Sequence, residues 1–177
     1  MVKAGGNIPA VPSGVFLGLA LVWLGVAVAG LTPAPLLAGM ILALPGAWRL
    51  VAGQTFFGPS WVPWLVILGT AILGPLAAET DRDLGRLGLG PVMWLFTIGA
   101  VYSTVPDTEL MLVLLGAAIP LALLGLPFRL ARLGEGGSAA AVGLLLWVAV
   151  HQGWARPGSI VGSVGALALF ATIPIGH

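Results

Sequence analysis

The sequence predicts an all-α fold: a polytopic transmembrane helical bundle of six or seven spans, forming one integral membrane domain over residues 1–177. Three observations predict it. Hydrophobic residues make up 59% of the chain and charged residues only 7%, whereas a soluble domain carries about a quarter charged residues. Folded in water, such a chain would expose apolar patches larger than soluble monomers tolerate. The apolar residues also fall in long runs, and a hydrocarbon core of about 30 Å takes roughly 20 residues of helix to cross. Finally, the runs lack the apolar/polar alternation of a barrel strand, and lipid offers backbone groups no partners, so helix is the default.

The first run, 13–31, follows "MVKAGGNIPAVPSG", which lacks the pattern of a cleavable leader, so it is expected to remain as a span. The second, 35–51, is interrupted by Pro45 and Gly46, and proline removes a backbone donor and kinks a helix. It reads either as a kinked span or as a re-entrant segment. The third and fourth runs are 61–78 and 89–105, the fifth is 108–126, the sixth 138–153 and the seventh 157–175. Trp48, Trp61, Trp64, Trp94 and Trp154 fall near run ends, where an amphipathic ring suits the headgroup zone, while Trp23 and Trp147 lie mid-run and read as packing residues.

Charge sets the expected sidedness. The loops "ETDRDLGRLG" and "PFRLARLGEGG" carry Arg82, Arg86, Arg129 and Arg132, and positively charged short loops stay cytoplasmic. With seven spans Lys3, Arg49 and Arg156 lie outside; with a re-entrant second segment Lys3 moves inside. In both arrangements the "PDTE" and Arg156 loops share the outer side. Six Arg against one Lys, amid abundant Ala, Gly, Leu and Pro, suggest a GC-rich bacterial genome and hence a bacterial inner membrane.

Composition also excludes. A net charge of +1 gives no clustered basic surface for nucleic acid. The absence of cysteine removes disulfides, thiolate metal sites and cysteine nucleophiles. No cofactor motif is present, and the spacing of His, Asp and Glu matches no metal site.

The candidate polar site is the outer face. Asp107, Glu109, His151, Gln152 and Arg156 converge there, and an ionisable group at membrane depth is a functional candidate by default. His151 would be a general base or a metal ligand, with a carboxylate orienting it. The plainer reading is structural. Thr104 to Asp107 forms a capping pattern for the fifth helix, and Arg156 pairs with Asp107 or Glu109 to tie loops together. The stretch around Glu79, Asp81, Arg82, Asp83 and Arg86 reads as a solvated helical turn with local pairing. Small residues four apart, Gly14 and Gly18 in the first run and Gly158, Gly162 and Ala166 in the last, mark close helix packing, either within the bundle or against a second copy.

Three functions fit. One is a non-catalytic accessory or scaffold subunit whose partners are the bilayer and another membrane protein or a second copy. Another is an uncoupled carrier or pore lined by Thr70, Thr97, Ser103, Ser159 and Ser163. The third is a membrane-face enzyme using Asp107, Glu109, His151 and Arg156. Dry spans without an acid or base at mid-depth favour the first.

Overall fold

The computed structural model describes residues 11–56, 59–86, 89–104, 109–128 and 133–153, together with positions 162, 164, 165, 167 and 168. These residues are all-α. Six helices are formed: α1 Ser13–Ala29, α2 Pro35–Val51, α3 Val62–Arg86, α4 Gly90–Thr104, α5 Glu109–Phe128 and α6 Gly134–Gly153. Most of the expected seventh segment lies outside the described residues, although its five described positions are helical. Among the described residues one helical stretch, Val62–Leu84, is long and apolar enough to cross a membrane. Ser13–Ala29, Pro35–Val51, Val92–Tyr102 and Leu112–Leu124 are shorter apolar helices.

The second segment is a single helix. Pro35 occupies its first turn, where the missing N–H costs nothing, and the helix continues through Pro45 to Val51. Nothing in that course folds back, so the re-entrant alternative is replaced by one continuous helix. Its end is marked by Gly53 at φ +75°, a left-handed conformation that residues with a Cβ adopt at a cost.

Helices α1, α2, α3 and α6 pack as a ring of antiparallel neighbours, and α4 and α5 form a pair attached to it through α4. Glycine makes the close approaches. A Cβ on Gly18 would stand 2.9 Å from the Gly46 carbonyl and the Leu50 amide, and one on Gly25 would collide with the Leu42 carbonyl. On the facing helix, a Cβ at Gly46 would meet the Val22 amide at 2.5 Å. Along α1 the partners therefore run backwards through α2, which is the antiparallel register. Gly14, one turn before Gly18, faces open space.

The α3–α6 seam follows the same rule. A Cβ on Gly74 would lie 3.3 Å from that of Ala139, and one on Gly69 would lie 2.8 Å from Leu146. Gly39 of α2 leaves room for the ring of Pro75, which stands inside α3. Helix α6 is the most enclosed element: Val142 and every residue from Leu145 to Val150 are buried. Near the end where α1 stops, the interior is filled by Val22, Val26, Ala43, Ala78 and Ala139. Side chains this small bring the helix backbones within direct van der Waals reach.

Two tryptophans differ from expectation. Trp94 is 1% exposed and belongs to the core rather than to a boundary, while Trp23 is 50% exposed. Trp147, at 3%, is a packing residue.

These contacts predict opposite outcomes for two alanines. Gly25→Ala drives a methyl into the α2 backbone and should cost about 1–3 kcal/mol of stability. Gly116→Ala meets nothing within 4 Å and should gain up to about 1 kcal/mol from helix propensity. Thermal unfolding of the two purified variants checks this, and equal melting temperatures would contradict the packing.

Candidate functional site

The two ends of the ring carry different polar groups. At the upper end, where α2 and α6 finish, His151 sits one turn beyond Trp147 on the same face of α6. Their rings stack at 4.9 Å with 10° between planes. Phe56, from the α2–α3 connection, meets the imidazole edge-on at 5.7 Å. Gln54 fastens that connection: its amide donates to the Leu50 carbonyl at 2.8 Å, and its side-chain oxygen accepts from the Trp147 indole N–H at 2.9 Å. The His151 Nδ1 is buried and has no hydrogen-bond partner among the described residues. Within those residues His151 is held by aromatic rings rather than oriented by a carboxylate.

The other members of the expected outer cluster are only partly described. Asp107 and Arg156 lie outside the described residues, as do Gly158 and Ala166. Glu109 opens α5 and Gln152 falls in the last turn of α6, their side chains outside the description; Gly162 is helical. Thr104 ends α4, and the capping string it begins lies outside the described residues. Of the hydroxyls considered as a pore lining, Thr70 is 0% exposed and wedged against Gly143 in the α3–α6 seam. Thr97 donates to the Met93 carbonyl of its own helix at 2.8 Å. The side chains of Ser103, Ser159 and Ser163 are not among those described. No group of three or more His, Asp or Glu able to hold a metal occurs among the described residues.

The lower end, where α1 and α3 finish and α6 begins, holds the more developed arrangement. Helix α3 continues through the acidic stretch to Arg86, and α6 starts at Gly134, four residues before the expected start of its span. Both extensions are needed to bring Arg82 against Glu135. The guanidinium donates from Nε at 2.8 Å and from Nη2 at 2.7 Å to one Glu135 oxygen, while Nη1 lies 3.5 Å from Glu79. Asp81 is 1% exposed, and its neighbour Thr80 and Ser138, three residues after Glu135, are also buried. The expected solvated turn is thus a partly buried ionic cluster joining α3 to α6 through two residues 53 apart in the chain.

Two glycines admit this cluster. A Cβ on Gly30 would collide with the Glu135 carboxylate, and one on Gly136 would stand 2.5 Å from the Trp23 carbonyl. Gly134, at φ +73°, begins α6 in a conformation that favours glycine. Between α1, α3 and α6 the result is a cavity of about 390 Å³, with Trp23, Ala27 and Leu31 on one wall and Asp81, Arg82 and Glu135 on the other. Sequence reasoning missed it. The one available signal was the Glu79–Arg82 spacing of three, which implies continued helix.

Comparison with known protein families, with curated proteins and with solved structures finds no match for this chain. The reading of the site therefore rests on its geometry.

A double-mutant cycle with Arg82→Gln and Glu135→Gln should give a coupling of about 0.5–1 kcal/mol, since both side chains keep roughly a third of their exposure and solvent screens the pair. The same cycle with Glu79→Gln in place of Glu135→Gln should give less. Chemical denaturation measures both, and a larger coupling through Glu79 would refute the assignment.

Proposed function

We propose that this chain is a polytopic integral membrane protein, set in a bacterial inner membrane, and that it serves as a non-catalytic scaffold or accessory subunit of a membrane assembly. One observation carries the reading: the apolar outer surface. Phe16 and Leu24 on α1, Leu37 and Ile41 on α2, and Val113 and Leu123 on α5 are all 45% or more exposed. In water that surface would be an aggregation site. In hydrocarbon it is the face a span presents.

The charges agree. The described acidic and arginine side chains Arg49, Glu79, Asp81, Arg82, Asp83 and Glu135 all lie within about two turns of a helix end. Helices of 17 residues, such as α1 and α2, fall at the short end of the roughly 17–25 residues that span a bilayer. The longest helix, α3, spends its extra turns on the charged cluster.

A scaffold role is supported by how the interior is filled. Its helices meet backbone to backbone, and the buried Thr70 hydroxyl is walled into a seam rather than set along a passage. Helix α5 packs only on α4 among the described elements and turns Leu112, Val113, Ile119, Leu123 and Leu124 outward. That apolar face suits a partner helix.

Because the chain has no cysteine, single cysteines test the topology without removing any native thiol. Ser60→Cys, exposed at the upper end, should react with an impermeant maleimide in intact cells. Asp83→Cys, at the lower end, should react only after the membrane is opened. Reaction of both from one side, or recovery of the chain in the soluble fraction, would overturn the membrane reading. Loss of every stoichiometric partner in mild detergent would count against the scaffold role alone.

A further inference from the structure

We propose that the lower-end cavity holds the headgroup of a zwitterionic aminophospholipid, an inference that rests on the membrane reading above. The cavity is amphipathic across its width. Its α1 wall is made by Trp23 and Ala27, four apart and therefore on one face of the helix, and by Leu31 in the turn that follows. Leu31 is 87% exposed at its edge, and neighbouring Leu24 and Val28 are 51% and 45% exposed, so the wall runs directly into the apolar outer surface of the bundle. An acyl chain emerging from the cavity meets that surface without crossing any charge.

The opposite wall carries both signs of charge. Arg82 engages Glu135 and Glu79 through three of its nitrogens. A guanidinium offers five N–H donors in a planar fork, which leaves donors for a phosphodiester. Glu135 uses one oxygen for Arg82; its other oxygen sits against the Gly30 end of α1. An ammonium group placed there lies between a carboxylate and the half-exposed indole of Trp23, and an indole face attracts a cation.

The charge census selects the ligand. A lipid whose headgroup is only anionic would add negative charge to a wall where Asp81 and Glu135 already outnumber Arg82. A simple cationic amphiphile would leave the remaining Arg82 N–H donors without an acceptor. A headgroup with a phosphate and an amine separated by a short chain matches both. A volume of about 390 Å³ lies near the lower bound of small-molecule sites, roughly 300–1,000 Å³, which suits a headgroup with its chains outside. Glycine at 30, 134 and 136 keeps the floor free of side chains, and an alanine at 136 would press into Trp23.

The test is native mass spectrometry of the detergent-purified chain titrated with phosphatidylethanolamine, with phosphatidylglycerol and, separately, with soluble O-phosphoethanolamine. The wild type should retain phosphatidylethanolamine over phosphatidylglycerol by about tenfold, the scale of one good charged contact. Arg82→Gln should bring the two lipids to near parity. Trp23→Leu, which leaves the ion pair intact, should also reduce the preference and carries the test if Arg82→Gln fails to fold. Equal retention of both lipids by the wild type, or an unchanged preference in folded Trp23→Leu, would overturn the proposal. So would binding of O-phosphoethanolamine without retention of lipid, which would assign the cavity to a soluble ligand. A chain that remains in solution without detergent would instead refute the membrane reading, an outcome visible before any lipid is added.

Discussion

The register of α6 against its neighbours is the constraint on which the remaining structure depends. Gly69 and Gly74 of α3 and Gly136 and Gly143 of α6 each face a neighbour at a distance that leaves no room for a Cβ without displacement. Such contacts tolerate little sliding. Moving α6 by one turn, about 5.4 Å, would take Leu146 and Ala139 away from Gly69 and Gly74 and separate Arg82 from Glu135. The glycine seams therefore fix more than helix spacing. They decide which polar groups meet at each end of the bundle.

The two ends then differ for a physical reason. At the upper end, α6 finishes with Trp147 and His151 on one face, and the connection after α2 folds over them through Gln54 and Phe56. The interactions there are largely aromatic, and a side-chain hydrogen bond from Trp147 to Gln54 satisfies a buried indole N–H. At the lower end, glycines at 30, 134 and 136 withdraw side-chain volume where three helix ends converge. The space is occupied by a carboxylate–guanidinium–carboxylate cluster and a cavity. Burying such groups is costly unless they are paired, and Arg82 is paired on both sides. The close packing of the middle and the polarity of the lower end are thus two consequences of the same distribution of glycine.

Much of the fold was legible in the sequence because apolar runs are long and their ends abrupt. The bounds of α2 coincide with expectation, and those of α1, α4 and α5 differ by one or two residues at their ends. Where the reading failed, it stopped a helix at the first charge. Run 61–78 ended before Glu79, yet α3 continues to Arg86 because Glu79 and Arg82 pair along the helix and Glu135 receives Arg82 from α6. Nothing local announces a partner 53 residues away. The upper-end histidine shows a different limit. Its spacing of four from Trp147 implies a shared face, but spacing does not reveal that Phe56 and Gln54 from the α2–α3 connection close over that face. Trp94 was misplaced for a related reason: proximity to the end of a run does not distinguish an interfacial indole from one covered by a neighbouring helix.

The central claim, that α6 lies antiparallel to α3 in one glycine-set register, is tested most directly by cross-linking in this cysteine-free chain. Gly74→Cys combined with Ala139→Cys should form a disulfide on mild oxidation, because the Cβ positions stand 3.3 Å apart, close to the roughly 3.5–4.5 Å that a disulfide spans. Gly74→Cys combined with Leu146→Cys, about two turns further along α6, should remain reduced. Efficient cross-linking of the second pair with none of the first would contradict the register and every contact derived from it.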